Sequence, residues 1–400
     1  MPDESTVRLL TSLASNRFYV VASQTAQPQE TPCKIGLRLF CLDSPTSLRM
    51  TPLVVSEITQ QERLSAVRDR PEASLSPAGS GKTTPRFVEE DLIARIAIAG
   101  AVAYDTICTT SSQLGIPLKD VGQSLLNLKI DTQFRAHGGC AANLAYSLCQ
   151  LSHSVDIVSI SGRNDDDPIL AALNALGANT EPVLRIPGHD TAHATIITDP
   201  QGDQFTAFFP GPTVTAQRWQ PWAARSIAAD AACFVQAPFA PDLSLAGMST
   251  ASQSQVPVFW CPGQYADQMN AEEINALLPF TNLIIGNRHE ISHLRARSDL
   301  SGHWVIETNS ADTVTVYGPS EQAPHPAVIP VPASTPTDPT GCGDALIAGF
   351  VHQLIASSAD CAAPALDKLV TAVEAGIELA QACLAESGSQ AHSVAAILTA

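Results

Sequence analysis

The segment AVIPVPASTPTDPTGCGDA, residues 327–345, contains the strongest pattern in the chain. It begins as an apolar strand, turns at an Asp-Pro pair and enters an apolar helix at Ala345. Further apolar runs alternate with helical stretches, and this alternation predicts an α/β fold: a doubly wound, mostly parallel sheet with helices on both faces. The runs are IARIAIAG, VDIVSISG, CFVQA, VPVFW, NLIIG, HWVIE, TVTVY and AVIPV.

The glycines of this segment predict an anion site at the start of the helix. Gly341, Cys342 and Gly343 are small enough for successive backbone N–H groups to point at one spot, where the helix dipole adds positive potential. Asp344 follows at the mouth of that site, where a carboxylate can take a proton from a hydroxyl attacking a phosphoryl group. The alternative is an Asp-Pro turn with an ordinary helix cap. Two glycines and two aspartates within seven residues favour catalysis.

Two other regions fit the parallel sheet poorly. The runs HATIITD and QFTAFF, residues 193–199 and 204–209, flank Pro-Gln-Gly and predict a β-hairpin. This hairpin lies within residues of about 190–210. Together with a second stretch, at about residues 105–137, it predicts a small β lid over one edge of the sheet.

Composition limits the classes of function. The 400 residues are 45% hydrophobic and 15% charged, and they carry a net charge of -17 with a pI near 4.9. A large core is therefore expected, whereas nucleic acid and an anionic membrane surface are disfavoured as partners. Ten cysteines lie scattered without a CxxC pair, no apolar run reaches membrane-spanning length, and the first residues lack the order of a signal peptide. These features predict a cytoplasmic protein.

The first 90 residues differ from the rest. They hold 10 basic and 10 acidic residues, 20 Ser or Thr and 8 Pro, so the whole net charge lies in the remaining 310. We interpret residues 1–90 as a poorly ordered N-terminal extension and residues 91–400 as the folded domain; a small accessory domain is the alternative for the first part. AGSGKTT, residues 78–84, is similar to a phosphate-binding loop, but Ser76 stands where its first glycine is needed and Pro85 ends the expected helix.

DPTGCGDA resembles the C-terminal signature of the PfkB/ribokinase family of carbohydrate and nucleoside kinases, and the resemblance extends over about residues 93–392. It implies that Asp344 is the catalytic base and that Gly341, Cys342 and Gly343 form the anion site. AGAVAYD, ending at Asp105, resembles the first strand of the family, whose last aspartate holds sugar hydroxyls. The position of Asp105 is also compatible with a ligand-binding role, because a carboxylate at the end of a strand lies where such sheets bind ligands.

Two further motifs carry the resemblance. GGCAANLA, residues 138–145, is similar to the glycine signature that lines the acceptor pocket, which implies roles for Gly138, Gly139 and Asn143. Asn287 and Glu290 match an NxxE motif that organises magnesium and phosphate through water. Taken alone, a Gly-Gly pair is compatible with a plain turn, and Asn143 and Glu290 are compatible with helix capping.

The resemblance also implies nucleotide contacts for Thr340 and for the stretch Ile306–Asp312. There the family usually has a glycine-containing loop, whereas this chain has Asn309 and Asp312. Added side-chain bulk and a negative charge near a polyphosphate predict weakened ATP binding.

The implied reaction is the transfer of the γ-phosphoryl group of ATP, with Mg²⁺, to a primary hydroxyl of a ribose-containing acceptor. Within the family the chain is most similar to bacterial adenosine kinase-like members, which implies adenosine. Two alternatives stay open: a sugar kinase of the same family, similar to ribokinase or fructokinase, and a non-catalytic nucleoside-binding protein. The expected partners are a small nucleoside or sugar and ATP, and the expected assembly is a monomer or a homodimer.

Overall fold

A computed structural model of the chain describes residues 18–23, 36–41, 94–114, 128–163, 167–227, 230–319, 322–334, 337–357 and 360–395. The chain divides into two compact units, Met1–Pro85 and Arg86–Ala400. In the first unit, β1 (Phe18–Ser23) and β2 (Gly36–Cys41) pair antiparallel, although the sequence shows no clear strand period in these runs. The segment AGSGKTT lies outside the described residues. The division at residue 90 and the poorly ordered extension stay predictions.

The described part of the second unit contains thirteen strands in two sheets. In chain order these strands are β3 (Arg95–Ala99), β4 (Ala103–Thr109), β5 (Thr132–Gly138), β6 (Ser154–Arg163), β7 (Val183–Pro187), β8 (Ala192–Thr198), β9 (Gln204–Phe209), β10 (Cys233–Gln236), β11 (Val258–Trp260), β12 (Leu283–Asn287), β13 (Trp304–Asn309), β14 (Thr313–Tyr317) and β15 (Ala327–Pro330).

The larger sheet has the described strands in the order β15-β14-β13-β12-β11-β10-β3-β6-β7. The seven strands from β13 to β7 in this order are parallel, and β14 and β15 add an antiparallel edge. This confirms the predicted mostly parallel sheet. In sheets of this kind, ligands bind in the crevice beyond the carboxyl ends of the strands.

The described helices cover both faces of this sheet, as predicted. They are α1 (Cys140–Gln150), α2 (Pro168–Ala175), α3 (Ala216–Ser226), α4 (Pro241–Gln253), α5 (Ala271–Leu277), α6 (Arg288–Arg295), α7 (Cys342–Ala356) and α8 (Leu366–Leu384). Helices α1, α2, α7 and α8 pack into one buried core and α3 to α6 into the other. None of these helices combines the length and the apolar character that a membrane crossing needs.

Strand β3 shows why the parallel strands are continuous apolar runs in the sequence. Ile96 and Ile98 enter the core on the α1 side, whereas Ala97 and Ala99 enter the core on the α4 side. All four side chains are fully buried. Successive side chains of a strand point to opposite faces, so both sets must be apolar when helices cover both faces.

The smaller sheet has the order β5-β4-β8-β9 and forms the predicted lid. The β8–β9 pair is antiparallel, which confirms the hairpin predicted from HATIITD and QFTAFF. Strand β4 pairs antiparallel with β5 and parallel with β8, so the lid sheet is mixed. Residues 115–127, which connect β4 to β5 within the predicted lid, lie outside the described residues.

A pair of buried histidines links the start of β6 to α7. His153 Nε2 lies 2.9 Å from His352 Nδ1, while His153 Nδ1 accepts from the backbone amide of Ala94 at 3.3 Å. Burial, followed by the neighbouring His352, lowers the pKa of His153 to about 4, and burial also lowers the pKa of His352. Both rings are therefore held neutral at pH 7.

We expect this pair to make the fold sensitive to acid. The folded pKa of His153 lies below the ordinary value of 6.5. The unfolded chain therefore binds the proton more readily, and stability is lost as pH falls from about 6.5 towards 4. Urea unfolding should show a loss of about 2 kcal/mol between pH 7.5 and pH 5 from His153 alone. In His153→Gln this loss should disappear, whereas the exposed control His325→Gln should keep it. Equal pH dependence in all three proteins would contradict the assignment.

Candidate active site

A cavity of about 700 Å³ lies between the carboxyl edge of the larger sheet and the lid. On the sheet side it is lined by residues at or just after the ends of β3, β10, β11 and β12, namely Ala101, Pro238, Cys261 and Asn287. On the lid side the lining includes Asp105, Ala194, Thr206 and Phe208. The volume is within the range of sites that bind a drug-sized ligand. Most of the predicted site residues meet here.

The start of α7 forms one wall of the cavity. Gly341 has a φ of +83°, and a Cβ atom there would lie 2.3 Å from Cβ of Ser389, so both conformation and space require glycine. Gly343 has open space where a Cβ would stand, which leaves the helix N-terminus accessible. The Cys342 amide, predicted as part of the anion site, donates to the Pro339 carbonyl at 3.3 Å. Ligand-directed donors are therefore to be sought at Gly343 and Asp344.

Asp344 lies in the first turn of α7 and faces the cavity. Its Oδ2 accepts a 2.8 Å hydrogen bond from Asn143 Nδ2, and the Cys140 thiol also bonds its carboxylate. Burial raises the pKa of Asp344 to about 7, with smaller contributions from Asp105 and Glu290, while the two hydrogen bonds act to lower it. A carboxylate with such a pKa is matched to proton transfer near neutral pH.

Asp105 projects from β4 towards the same cavity and is 5% exposed. Burial, assisted by the negative charge of Asp338, raises its pKa to about 6. No hydrogen bond to its carboxylate is formed among the described residues, so its oxygens can accept from a ligand. The register that pairs Ala103 with Gly138 places this carboxylate against Gly138.

At both predicted glycines, protein atoms occupy the space that a side chain would need. A Cβ at Gly138 would lie 1.9 Å from Oδ2 of Asp105, so glycine makes room for that carboxylate. Gly139 has a φ of +88°, and a Cβ there would lie 2.5 Å from the Ala101 carbonyl oxygen. Gly139 lines the cavity; Gly138 is not among its lining residues.

Asn143 is predicted as an acceptor contact, and the structure gives it a second set of partners. It is 5% exposed and lines the cavity from the first turn of α1. Its Oδ1 accepts from Ser389 Oγ at 2.9 Å and from Gln390 Nε2 at 3.0 Å. Because Nδ2 carries two hydrogens and one is directed to Asp344, one N–H is left for a ligand hydroxyl.

Asn287 and Glu290 form a reciprocal capping box at the start of α6. The Glu290 backbone amide donates to Asn287 Oδ1 at 2.9 Å, and the Asn287 backbone amide donates to Glu290 Oε2 at 3.1 Å. This local role explains the NxxE spacing without a ligand. Both residues nevertheless line the cavity, and burial raises the pKa of Glu290. The capping interpretation and the ligand interpretation are therefore compatible.

The residues predicted to contact nucleotide are distributed unevenly. Thr340 lines the cavity, and its buried Oγ1 has no hydrogen-bond partner within the described part of the chain. Asn309 and Asp312 instead close the turn between β13 and β14, with Asn309 Nδ2 donating to Asp312 Oδ2 at 3.3 Å. They are not among the residues that line the cavity, whereas Thr308 is. Nucleotide contact by Asn309 and Asp312 stays a prediction.

The cavity is acidic. Asp105, Glu290 and Asp344 line it, and the described lining includes no lysine or arginine. Among the described residues no group of three or more His, Cys, Asp or Glu side chains is arranged to hold a metal ion. A polyphosphate entering this cavity therefore needs a cation that arrives with it. Mg²⁺ fits that requirement, because it keeps several waters and binds through one or two carboxylates together with substrate phosphates.

Three residues of the site were not predicted from the sequence. Cys140 contacts Asp344, and Ser389 and Gln390 contact Asn143. Cys140 lies inside the glycine signature, so its position was a usable signal. The stretch SGSQAH, residues 387–392, has no periodicity or motif that marks it.

Comparisons with known proteins show what the chain is similar to. The family model described as pfkB family carbohydrate kinase matches residues 95–396. A nucleoside kinase of Methanothermobacter thermautotrophicus is 24% identical over 275 residues, which cover 67% of this chain and 83% of that protein.

Solved structures show the same fold. The nucleoside kinase of Burkholderia thailandensis in complex with inosine is 25% identical, with a TM-score of 0.64 over 76% of this chain and 98% of that one. Its complex with ADP-inosine is also 25% identical and gives a TM-score of 0.59 over 76% and 93% of the two chains. The ribokinase of Giardia lamblia, 17% identical, has a TM-score of 0.65 over 76% and 98% of the two chains and shows the fold alone.

Proposed function

The chain belongs to the pfkB family of carbohydrate kinases and is a kinase, and on that premise we propose that it phosphorylates the ribose primary hydroxyl of a purine nucleoside. ATP is the donor, and adenosine is the first acceptor to test. Asp344 takes the hydroxyl proton, and the Gly341–Gly343 turn faces the transferred phosphoryl group. The observation that carries the proposal is the Asp344 carboxylate, held by Asn143 at the cavity floor with its pKa near neutrality.

The acceptor ribose is held opposite the base. Asp105 accepts two vicinal hydroxyl hydrogens, since its carboxylate is desolvated and without a hydrogen-bond partner among the described residues. The remaining N–H of Asn143 donates to a third ribose oxygen. A carboxylate and an amide at these positions fix the ring while its primary hydroxyl faces Asp344.

The lid supports a nucleoside over a free sugar. Ala194 and Phe208 line the cavity from β8 and β9, and Phe208 offers an aromatic face on which a purine can stack. A free pentose carries no base that could stack on this ring. The inosine complexes of the Burkholderia kinase concern a relative, and they support the same acceptor class here.

The donor side accepts ATP with Mg²⁺. Glu290 and Asn287 would hold the hydrated cation through water, and Thr340 Oγ1 would donate to a phosphate oxygen. Bound Mg²⁺ would neutralise polyphosphate charge in a cavity whose own charged side chains are carboxylates. Closure of the lid sheet over the ribose would exclude water and limit ATP hydrolysis. The cytoplasmic location and the assembly state stay predictions.

An acceptor panel with ATP and Mg²⁺ tests the proposal. We expect purine nucleosides, adenosine among them, to be phosphorylated with kcat/KM at least tenfold above ribose or fructose. Phe208→Ala should raise the KM for the nucleoside by about tenfold, the loss expected for one stacked base, and leave turnover of ribose unchanged. Phe205→Ala is the matched control, because Phe205 is an exposed residue of β9 outside the cavity lining. Preferential phosphorylation of a free sugar would establish a sugar kinase, and tight nucleoside binding without turnover would establish a binding protein.

A further inference from the structure

The segment Gly388–His392 docks onto α1 beside the catalytic base. Ser389 is 1% exposed and His392 is 2% exposed. His392 Nε2 lies 2.9 Å from Ser147 Oγ, and the Tyr146 hydroxyl donates to the His392 carbonyl at 2.9 Å. These contacts fix the backbone of the segment against α1.

The same segment is tied to the start of α7. The Gly388 amide donates to Asp338 Oδ2 at 2.9 Å, and Asp338 Oδ1 accepts from the Thr340 amide at 2.9 Å. Gly341 packs directly on Ser389. The segment therefore has a defined position relative to both the helix that carries Asn143 and the turn that precedes Asp344.

Two side chains of the segment donate hydrogen bonds to one atom, Oδ1 of Asn143. Ser389 Oγ and Gln390 Nε2 lie 2.9 Å and 3.0 Å from Oδ1 of Asn143. Ser389 Oγ also lies 3.2 Å from the His137 carbonyl, and its single hydrogen is best directed to the nearer acceptor, Asn143. Both lone pairs of Asn143 Oδ1 are thereby used.

This arrangement settles which end of the amide faces the base. The two ends of an asparagine amide have nearly the same size, so surrounding donors and acceptors select its orientation. With two donors at one end, the oxygen stays there and the nitrogen lies 2.8 Å from Asp344 Oδ2. The flipped amide would place its oxygen against a carboxylate oxygen and would leave the Gln390 N–H without its acceptor, whereas the Ser389 hydroxyl would be limited to the more distant His137 carbonyl.

We propose that Ser389 and Gln390 are positioning residues that fix the orientation of the Asn143 amide and so hold its N–H group against the carboxylate of Asp344. The role of Asp344 as base rests on the proposed function, whereas the orientation itself rests on the contacts alone. Loss of the donors should free the amide to rotate, so that the base loses a stabilising N–H group.

The other titratable groups near Asp344 must be kept constant in any test. They come from α1, the lid, α6, the residue after β11, the turn before α7 and the first residue of α7, and they are Cys140, Asp105, Glu290, Cys261, Asp338 and Cys342. Neither Ser389→Ala nor Gln390→Met changes any of them. A change in the titration of Asp344 therefore reports the amide.

The test uses the full chain with Ser389→Ala, Gln390→Met and the double variant; Gln390→Met keeps the volume of a half-buried side chain without its donor. Since the Asn143 hydrogen bond lowers the pKa of Asp344, its loss should move the acid limb of kcat/KM upward by about one pH unit in the double variant. Activity at pH 6 should then fall about tenfold and activity at pH 9 less than about threefold. Ser387→Ala, at the exposed serine directly before the segment, should behave as wild type.

A second measurement separates this inference from the proposed function. Carbon-13 NMR of labelled aspartate carboxyls follows the titration of Asp344 without turnover, its signal being assigned by its loss in Asp344→Asn. A raised pKa in the folded double variant supports the positioning role even if no acceptor is phosphorylated. An unchanged titration in the folded double variant or in Gln390→Met overturns the role, whether or not the protein is an active kinase.

Discussion

Asp344→Asn should reduce kcat by about 10²–10⁴-fold, because a positioned general base contributes that factor and an amide cannot take up the hydroxyl proton. The substitution preserves shape, and the new amide oxygen can still accept from Asn143 Nδ2, which now lies 2.8 Å from Asp344 Oδ2. Acceptor affinity measured by calorimetry should therefore change less than about threefold. Steady-state kinetics with saturating ATP give the decisive number.

The matched control is Asp367→Asn. Asp367 also lies in the first turn of a helix, α8, but it is exposed to solvent and distant in sequence from every motif. Its replacement should leave kcat within about twofold of wild type, since surface substitutions away from special features have small effects. Retention of more than a tenth of kcat in Asp344→Asn would remove Asp344 from the role of base.

Asp105→Ala should act on the acceptor. Two hydrogen bonds to a charged group are worth about 1.5–3 kcal/mol each, so the acceptor dissociation constant should rise by about 10²–10⁴-fold. The ATP dissociation constant should stay within about threefold. The negative charge of Asp105 contributes to the raised pKa of Asp344, so its removal should also move the acid limb of the pH profile downward.

Asp203→Ala controls for a general loss of charge in the lid, since Asp203 is an exposed residue between β8 and β9. Its acceptor affinity and its pH profile should match those of wild type. The fold should tolerate Asp105→Ala, because a buried, desolvated carboxylate without a partner does not stabilise the native state. Unchanged acceptor affinity in Asp105→Ala, with an intact melting transition, would show that Asp105 only ends a strand.

The sequence predicted those parts of the site that local patterns encode. The capping box of Asn287 and Glu290 lies within four residues, and the glycine turn before Asp344 lies within seven, so each pattern is visible in one stretch of chain. The apolar runs predicted the strands of the larger sheet for the same reason. Strand pairing across the sheet then brings these separate stretches to one edge.

Interactions that depend on tertiary structure could not be predicted from the sequence. The glycine signature predicts a role for Gly138 in the acceptor pocket, but only the register of β4 against β5 shows that Gly138 makes room for the Asp105 carboxylate. The hydrogen bond from Asn309 to Asp312 closes a turn between two antiparallel strands, and no pattern in the sequence indicated that pairing. Contacts of Ser389 and Gln390 with Asn143 span more than 240 residues, a separation that no periodicity reveals.

That separation has a consequence for how the enzyme is made. Ribosomes add about 5–20 residues per second, so Asn143 emerges at least some ten seconds before the residues that orient its amide. Closing such a long loop is entropically costly and comes late in folding. The core that contains α3 to α6 can thus form on the nascent chain before the Asn143 amide is oriented, whereas the core on the α1 side still needs α8. Catalytic competence would then be among the last properties acquired during synthesis, after the strands that form most of the binding cavity.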